Sequence, residues 1–153
     1  MMTTLELRDV PPRLATGAFI LNSGLGKLKA DEEMAQGVHG MACTAYPFLK
    51  KIEARRFTRL LALSELTVGG TLLCPFVPTR LAGLVLTGFS SGLLGLYLRV
   101  PGMREPGSLR PTQNGIPLAK DSWMLGIGLG LLSADARCTG AGASRCPWRR
   151  PGG

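Results

Sequence analysis

The chain has 153 residues, the length of one domain, and 45% of them are hydrophobic. Its formal net charge is +8, but the basic residues lie between apolar segments, without the basic stripe and interleaved aromatic residues of a nucleic-acid-binding surface. These features exclude a nucleic-acid partner and predict an all-α, polytopic membrane protein in which 21 glycines help a four-transmembrane-helix bundle to pack in lipid.

The first predicted span runs from Val10 to Leu28. No small-residue cleavage motif follows it, so we expect it to stay in the protein as an anchor. Arg13 and Lys27 lie near its two ends, where long basic side chains can reach the membrane interface. Asn22 is the amide that this span would bury.

A charged connection, Lys29 to Thr58, follows, and its length predicts structure of its own. Asp31, followed by two glutamates, is typical of a helix N-terminus. The segment Pro47 to Arg56 has apolar residues on one side and basic residues on the other, which predicts a second short helix. It suits the membrane interface, although a solvated helix packed on the bundle explains the pattern equally well.

The second span is predicted at residues 57–76, and it contains one carboxylate, Glu65, deep in an apolar run. A short turn at Pro78 leads into the third span, residues 81–100, so we expect these two helices to be antiparallel neighbours. Pairs of glycines four residues apart predict close packing in the third and fourth spans. The pairs are Gly88 with Gly92 and Gly126 with Gly130.

A loop rich in proline and glycine, residues 101–117, separates the third span from the fourth, which is predicted at residues 116–136. We therefore expect a four-helix membrane domain over residues 1–136 and a disordered basic tail over residues 137–153. Both long loops would lie on one side of the membrane and both termini on the other. The basic residues on the loop side favour termini outside, whereas weighting the first helix and the tail reverses the orientation.

The polar residues inside the predicted spans converge on one depth, about 7 to 12 Å from the loop side at 1.5 Å per helical residue. A carboxylate at that depth should face the bundle, so we expect Glu65 to pair with Lys27 or Asn22, or to stay protonated. The cluster is either a proton or ligand site or a structural hydrogen-bond network. Its candidate members are Asn22, Lys27, Glu65, Ser91 and Asp121.

Other chemistry finds little support in the sequence. His39 is the single histidine, so a two-histidine haem site is excluded, and the four cysteines form no C-x-x-C pair. The sequence contains no nucleophile-elbow, phosphate-loop or zinc-ligand motif. We therefore expect no metal and no stand-alone enzyme.

Four stretches together resemble the DoxX family of small membrane proteins: RLATGAFILNSGLGKL, YPFLKK, SELTVGGTLL and AKDSWMLGIG. The resemblance covers residues 13–136 and implies four membrane helices in a bacterial cytoplasmic membrane. The family's pattern of a glutamate followed by glycines maps onto Glu65, Gly69 and Gly70.

The resemblance further implies a membrane subunit or docking partner of a redox or stress-response assembly, with a quinone as the possible cofactor. The lipid bilayer, redox proteins and a second copy of the chain are the expected partners. Two alternatives stay open: a small proton-coupled transporter that uses Glu65, and a structural membrane protein without a substrate.

Overall fold

A computed structural model describes residues 7–140, with side chains described up to residue 133. Within that range the chain is helical, and its only β feature is a single bridge between Arg104 and Pro111. The prediction of an all-α protein is confirmed. The helices are α1 (Val10–Leu28), α2 (Glu32–Ala45), a 3₁₀ helix (Pro47–Lys51), α3 (Ala54–Leu73), α4 (Thr79–Arg99), α5 (Ile116–Ala119) and α6 (Asp121–Gly140).

The four long helices form two closely packed pairs, α1 with α3 and α4 with α6. The short turn at Pro78 predicts α3 and α4 as direct neighbours; they do touch, but each packs much more extensively on another helix. Ile20, Leu72, Leu86 and Leu131 join the two pairs in one apolar core.

Glycines set the close approach within each pair. A Cβ atom on Gly69 would lie 2.9 Å from the carbonyl oxygen of Gly17, and one on Gly83 would lie 2.9 Å from the carbonyl oxygen of Gly128. Cβ atoms in proteins almost never make contacts this short, so any side chain at either position would force the helices apart. Backbone approach through small residues is a common way to pack helices in lipid.

The glycine pairs predicted from the sequence are not the packing glycines. A Cβ atom on any of the four would have no neighbour within 4 Å, which corrects the prediction for Gly88, Gly92, Gly126 and Gly130. The physical reason is rotation about the helix axis. Spacing by four places two glycines on a common face, but it does not say whether that face points inward.

Arg13 does not reach for the interface as predicted. Its side chain is buried, with 2% of the residue exposed, and its guanidinium group donates hydrogen bonds to the carbonyl oxygens of Leu72 (2.9 Å) and Cys74 (2.8 Å). Further donors reach the carbonyl oxygens of Thr71 and Val77. The last carbonyls of a helix lack partners within the helix and carry partial negative charge, so Arg13 caps α3 and ties α1 to its end.

The predicted element boundaries hold in some places and fail in others. α1 has the predicted limits, and Asp31 caps α2, because its side chain accepts a hydrogen bond of 2.9 Å from the amide of Met34. The predicted helix from Pro47 to Arg56 is wrong as a unit. Its first half is the 3₁₀ helix, and its last residues already belong to α3.

The fourth predicted helix is interrupted at Lys120, which separates α5 from α6. α6 continues to Gly140, so the predicted tail does not begin at residue 137. The remainder of that tail, residues 141–153, lies outside the described residues, as do residues 1–6.

Side-chain hydrogen bonds hold the loop between α4 and α5 in place. The hydroxyl of Tyr97 donates a hydrogen bond of 2.6 Å to the carbonyl oxygen of Leu109, and that of Thr112 donates one of 2.6 Å to Gly102. Gly102 and Gly107 have φ angles of 85° and 74°, a region that favours glycine. The loop is thereby fastened to the end of α4.

By length and composition, one helix of the described chain, α4, is long and apolar enough to cross a membrane. The other long helices have 19 or 20 residues. α1 and α3 contain ionisable residues, some near the helix ends and one, Glu65, in the middle of α3. The four-span arrangement stays a prediction, which we take up below.

Candidate functional site

A cavity of about 620 Å³ lies between α1, α2, α3, α4 and the start of α6. Most of its wall is apolar, with Phe19, Val38, Leu61, Leu93 and Met124 contributed by five different helices. The volume is typical of a pocket for a small organic ligand. Four of the lining residues have polar side chains: Ser23, Lys27, Glu65 and Asp121.

Lys27 and Glu65 form a buried ion pair in the cavity wall. The Nζ atom of Lys27 lies 2.9 Å from Oε1 of Glu65, and it donates hydrogen bonds to Oε2 of Glu65 (3.1 Å) and to the hydroxyl oxygen of Ser23 (2.7 Å). The side chains of Lys27 and Glu65 are 22% and 5% exposed. The sequence offered more than one partner for Glu65, and in the structure Glu65 pairs with Lys27.

Helix packing brings these groups together. Ser23 and Lys27 are four residues apart on α1, so both reach the same side of the helix. Gly24 faces α3 at the same level, and a Cβ atom there would lie 3.1 Å from the Cβ atom of Glu65. The missing side chain lets α3 approach closely enough for Glu65 to meet Lys27.

Asp121 is the other carboxylate of the cavity. It stands in the first turn of α6, only 7% exposed, and the charges that act on it most are those of Glu65 and Lys27. Its side chain makes no hydrogen bond or ion pair with any residue between 7 and 133. The positive end of the α6 dipole favours a negative charge at this position.

Two of the predicted cluster members do not join the site. Asn22 is exposed and lies outside the cavity wall, and Ser91 is exposed with its hydroxyl donating a hydrogen bond of 2.7 Å to the carbonyl oxygen of Thr87 on its own helix. The sequence pattern placed the polar residues at the right level along their helices, but it did not show which side of the helix each residue faces. The inward positions are the adjacent ones, Ser23 and Ser90.

Sequence reasoning missed two parts of the site. Ser23 could have been found from its position four residues before Lys27, since residues at this spacing are neighbours on a helix. The wall formed by α2 was also missed, because the helix predicted after Asp31 was not assigned a face that packs on the bundle. Met34, Val38 and Met41 recur at helical spacing and line the cavity together.

His39 and Cys43 contact each other on α2, with 3.2 Å between Nε2 and Sγ. The same Nε2 atom lies 3.0 Å from the carbonyl oxygen of Leu49. A carbonyl can only accept a hydrogen bond, so Nε2 carries a proton there and cannot act as a base toward Cys43. His39 therefore joins α2 to the 3₁₀ helix. No group of three or more His, Cys, Asp or Glu side chains in the described range could hold a metal ion.

No family model, curated protein or solved structure matches the chain. The resemblance to the DoxX family therefore stays a prediction. What can be argued about function rests on the cavity and on the outer surface of the helices.

Proposed function

We propose that the protein is an integral membrane protein whose four long helices cross the bilayer. The supporting observation is the apolar outer surface, on which large hydrophobic side chains from all four helices are about half exposed or more. Examples are Phe19 (65%), Leu63 (53%), Leu84 (61%) and Leu129 (51%). A water-soluble monomer rarely exposes so much apolar surface, whereas lipid covers it.

The polar groups of the helices support the same proposal. Apart from Arg59 in the second turn of α3, the exposed charged side chains of the four long helices lie in first or last turns, within the residues whose side chains are described. The charged side chains of Arg13 and Glu65 are buried. Hydroxyl groups on these faces donate to carbonyl oxygens three or four residues earlier in the same helix, as at Thr67, Ser91 and Ser133. A hydroxyl bonded in this way can face lipid without an unsatisfied donor.

Reporter fusions test the number of spans. With four spans, fusions after Thr79 and after Gly140 report the same side of the membrane, and a fusion after Ser108 reports the other. Opposite sides for Thr79 and Gly140 would mean that α6 does not cross, and the four-span proposal would then be wrong.

Within the membrane, the proposed role is that of a subunit or docking partner of a redox or stress-response assembly that holds a lipid-soluble molecule in the cavity. The cavity carries this proposal, because apolar walls with a few polar groups suit an amphiphile with one polar head. The DoxX resemblance adds a quinone as one candidate. A quinone carbonyl needs a hydrogen-bond donor, which a protonated Asp121 would supply.

Purification in mild detergent, followed by mass spectrometry of extracted small molecules and of copurifying proteins, tests this role. Gly37 lines the cavity on α2 and Gly40 does not, and a Cβ atom at either position would have no neighbour within 4 Å. Gly37→Phe should therefore displace the bound molecule, whereas Gly40→Phe should retain it. Equal recovery from both variants, or an empty parent protein, would contradict a ligand-binding cavity.

The buried carboxylates favour one alternative function, a small proton-coupled transporter. Glu65 is 4% exposed and Asp121 is 7% exposed, with a single lysine between two carboxyl groups to balance their charge. Glu65→Gln keeps the size and hydrogen bonding of the side chain but removes its charge. In a transporter this variant would insert normally and lose pH-dependent transport, and full activity would exclude Glu65 as the proton carrier.

A further inference from the structure

We infer that the cavity binds a lipophilic amine in its protonated form, with the ammonium group donating a hydrogen bond to Asp121. The inference rests on the proposed ligand-binding role of the cavity and names the chemical class of the ligand. Three observations support it: the hydrogen bonds of Lys27, the isolation of Asp121, and the balance of charge in the cavity.

Lys27 has no donor left for a ligand. An ammonium group has three N–H bonds, and those of Lys27 face three acceptor atoms, Oγ of Ser23 and the two carboxylate oxygens of Glu65, at 2.7 to 3.1 Å. An anionic or carbonyl-bearing head would have to break one of these bonds. With Asp121 ionised, the cavity is therefore a poor site for a ligand whose head only accepts hydrogen bonds, and a quinone would need Asp121 in its protonated form.

Among the polar side chains that line the cavity, Asp121 is the one without a partner in the described part of the chain. It lines the cavity and is more than nine-tenths buried, yet it has no hydrogen bond or ion pair within the described part of the chain. A buried carboxylate without a donor is costly, and a ligand that supplies the donor removes that cost. The ligand head should therefore carry at least one polar hydrogen.

The charges select a cation among such heads. Lys27 and Glu65 neutralise each other through their contact of 2.9 Å, so the ionised cluster keeps one negative charge, that of Asp121. An ammonium head neutralises this charge, and a hydroxyl head does not. Phe19 and Met34, which line the cavity, are 65% and 52% exposed, so the alkyl part of the ligand can enter along an apolar rim.

Three probes with the same chain and different heads test the inference: octylamine, octanol and octanoate. We suggest measuring saturable binding of radiolabelled octylamine to the protein in nanodiscs of neutral phosphatidylcholine at neutral pH, with empty nanodiscs subtracted. Octylamine should bind, octanol should compete about tenfold more weakly, because it lacks the charge, and octanoate should not compete. This comparison uses the parent protein and needs no variant.

A pair of variants assigns the binding to Asp121. Asp121→Asn should weaken octylamine binding about 10- to 100-fold, the loss expected for one charged hydrogen bond. Glu33→Gln also removes one negative charge, but from the exposed first turn of α2, and should leave binding unchanged.

Two results would overturn the inference while leaving a ligand-binding role intact. One is octanoate or octanol competing as well as octylamine, and the other is Asp121→Asn binding octylamine like the parent. Absence of saturable binding for all three probes would contradict both the inference and the proposed ligand-binding function.

Discussion

The crossing of α1 and α3 at Gly69 permits a sharp test of the packing. Gly69→Ala would place a methyl group 2.9 Å from the carbonyl oxygen of Gly17 and 2.9 Å from the amide nitrogen of Leu21, where ordinary contacts begin near 3.4 Å. The neighbouring atoms belong to the backbone and cannot turn away. The two helices must therefore separate by about 0.5 Å, a gap that forfeits a quarter or more of each contact's attraction.

Gly70 provides the matched control, because it is the next residue of α3, is exposed, and would place a methyl group with no neighbour within 4 Å. Both substitutions exchange glycine for alanine in one helix, so their effects on helix propensity cancel. The overpacking remains, and we expect Gly69→Ala to be less stable than Gly70→Ala by about 1 to 3 kcal/mol.

Unfolding by sodium dodecyl sulfate in mixed micelles, followed by circular dichroism, measures both free energies. A Gly69→Ala protein as stable as Gly70→Ala would refute the close crossing of α1 and α3. The position of Glu65 against Lys27 would then lose its structural basis, because the same crossing brings the two side chains together.

Two further predictions concern the buried charges. Arg13→Met should lower the free energy of unfolding by at least about 3 kcal/mol, because it leaves several carbonyl oxygens at the end of α3 without a donor. Arg80→Met, at an exposed position, should change the free energy of unfolding little. Equal losses for the two variants in the same unfolding titration would contradict the capping role of Arg13. Lys27→Met should lower the free energy of unfolding by about 3 to 5 kcal/mol, because it leaves Glu65 buried without its partner. Adding Glu65→Gln to this variant should recover part of the loss. A double variant less stable than Lys27→Met would contradict the ion pair.

The sequence predicts the helices of this protein better than their contacts. The limits of α1 and the cap of α2 follow from apolar length and from Asp31, since both are local properties. The interruption at Lys120 and the early start of α3 at Ala54 were not predicted. At Ala54, α3 begins without a side-chain hydrogen bond from Glu53, so no capping pattern marks its start.

For α3 and α6, the charged residues could have predicted which side of the helix faces inward. An ionisable residue in an apolar helix must face the protein interior, so residues at helical spacing from it face inward as well. Glu65 shares a face with Gly69, and Asp121 shares one with Gly128, and both glycines lie at close crossings. Glycine spacing alone suggested Gly92, which faces open space.

The cavity itself could not be predicted in this way. Its walls come from helices far apart in sequence, including α2, and its volume depends on side chains that leave the space unfilled. The positions of the polar residues along their helices limited the possible partners of Glu65 to Lys27 and Asn22. Which of the two it contacts depends on which side of α1 meets α3. Depth gives a position along the helix axis, but it does not give the direction around that axis.

Lipid contact at the outer faces is the central claim, and spin labels test it directly. Single labels at Leu63 on α3 and Leu129 on α6, in protein reconstituted in nanodiscs with its native cysteines replaced, should be relaxed more by oxygen than by a water-soluble nickel chelate. A label at Glu33, an exposed residue in the first turn of α2, should show the opposite preference. If the nickel chelate relaxes the labels at Leu63 and Leu129 more strongly than oxygen does, these faces meet water and the protein does not span the bilayer as proposed.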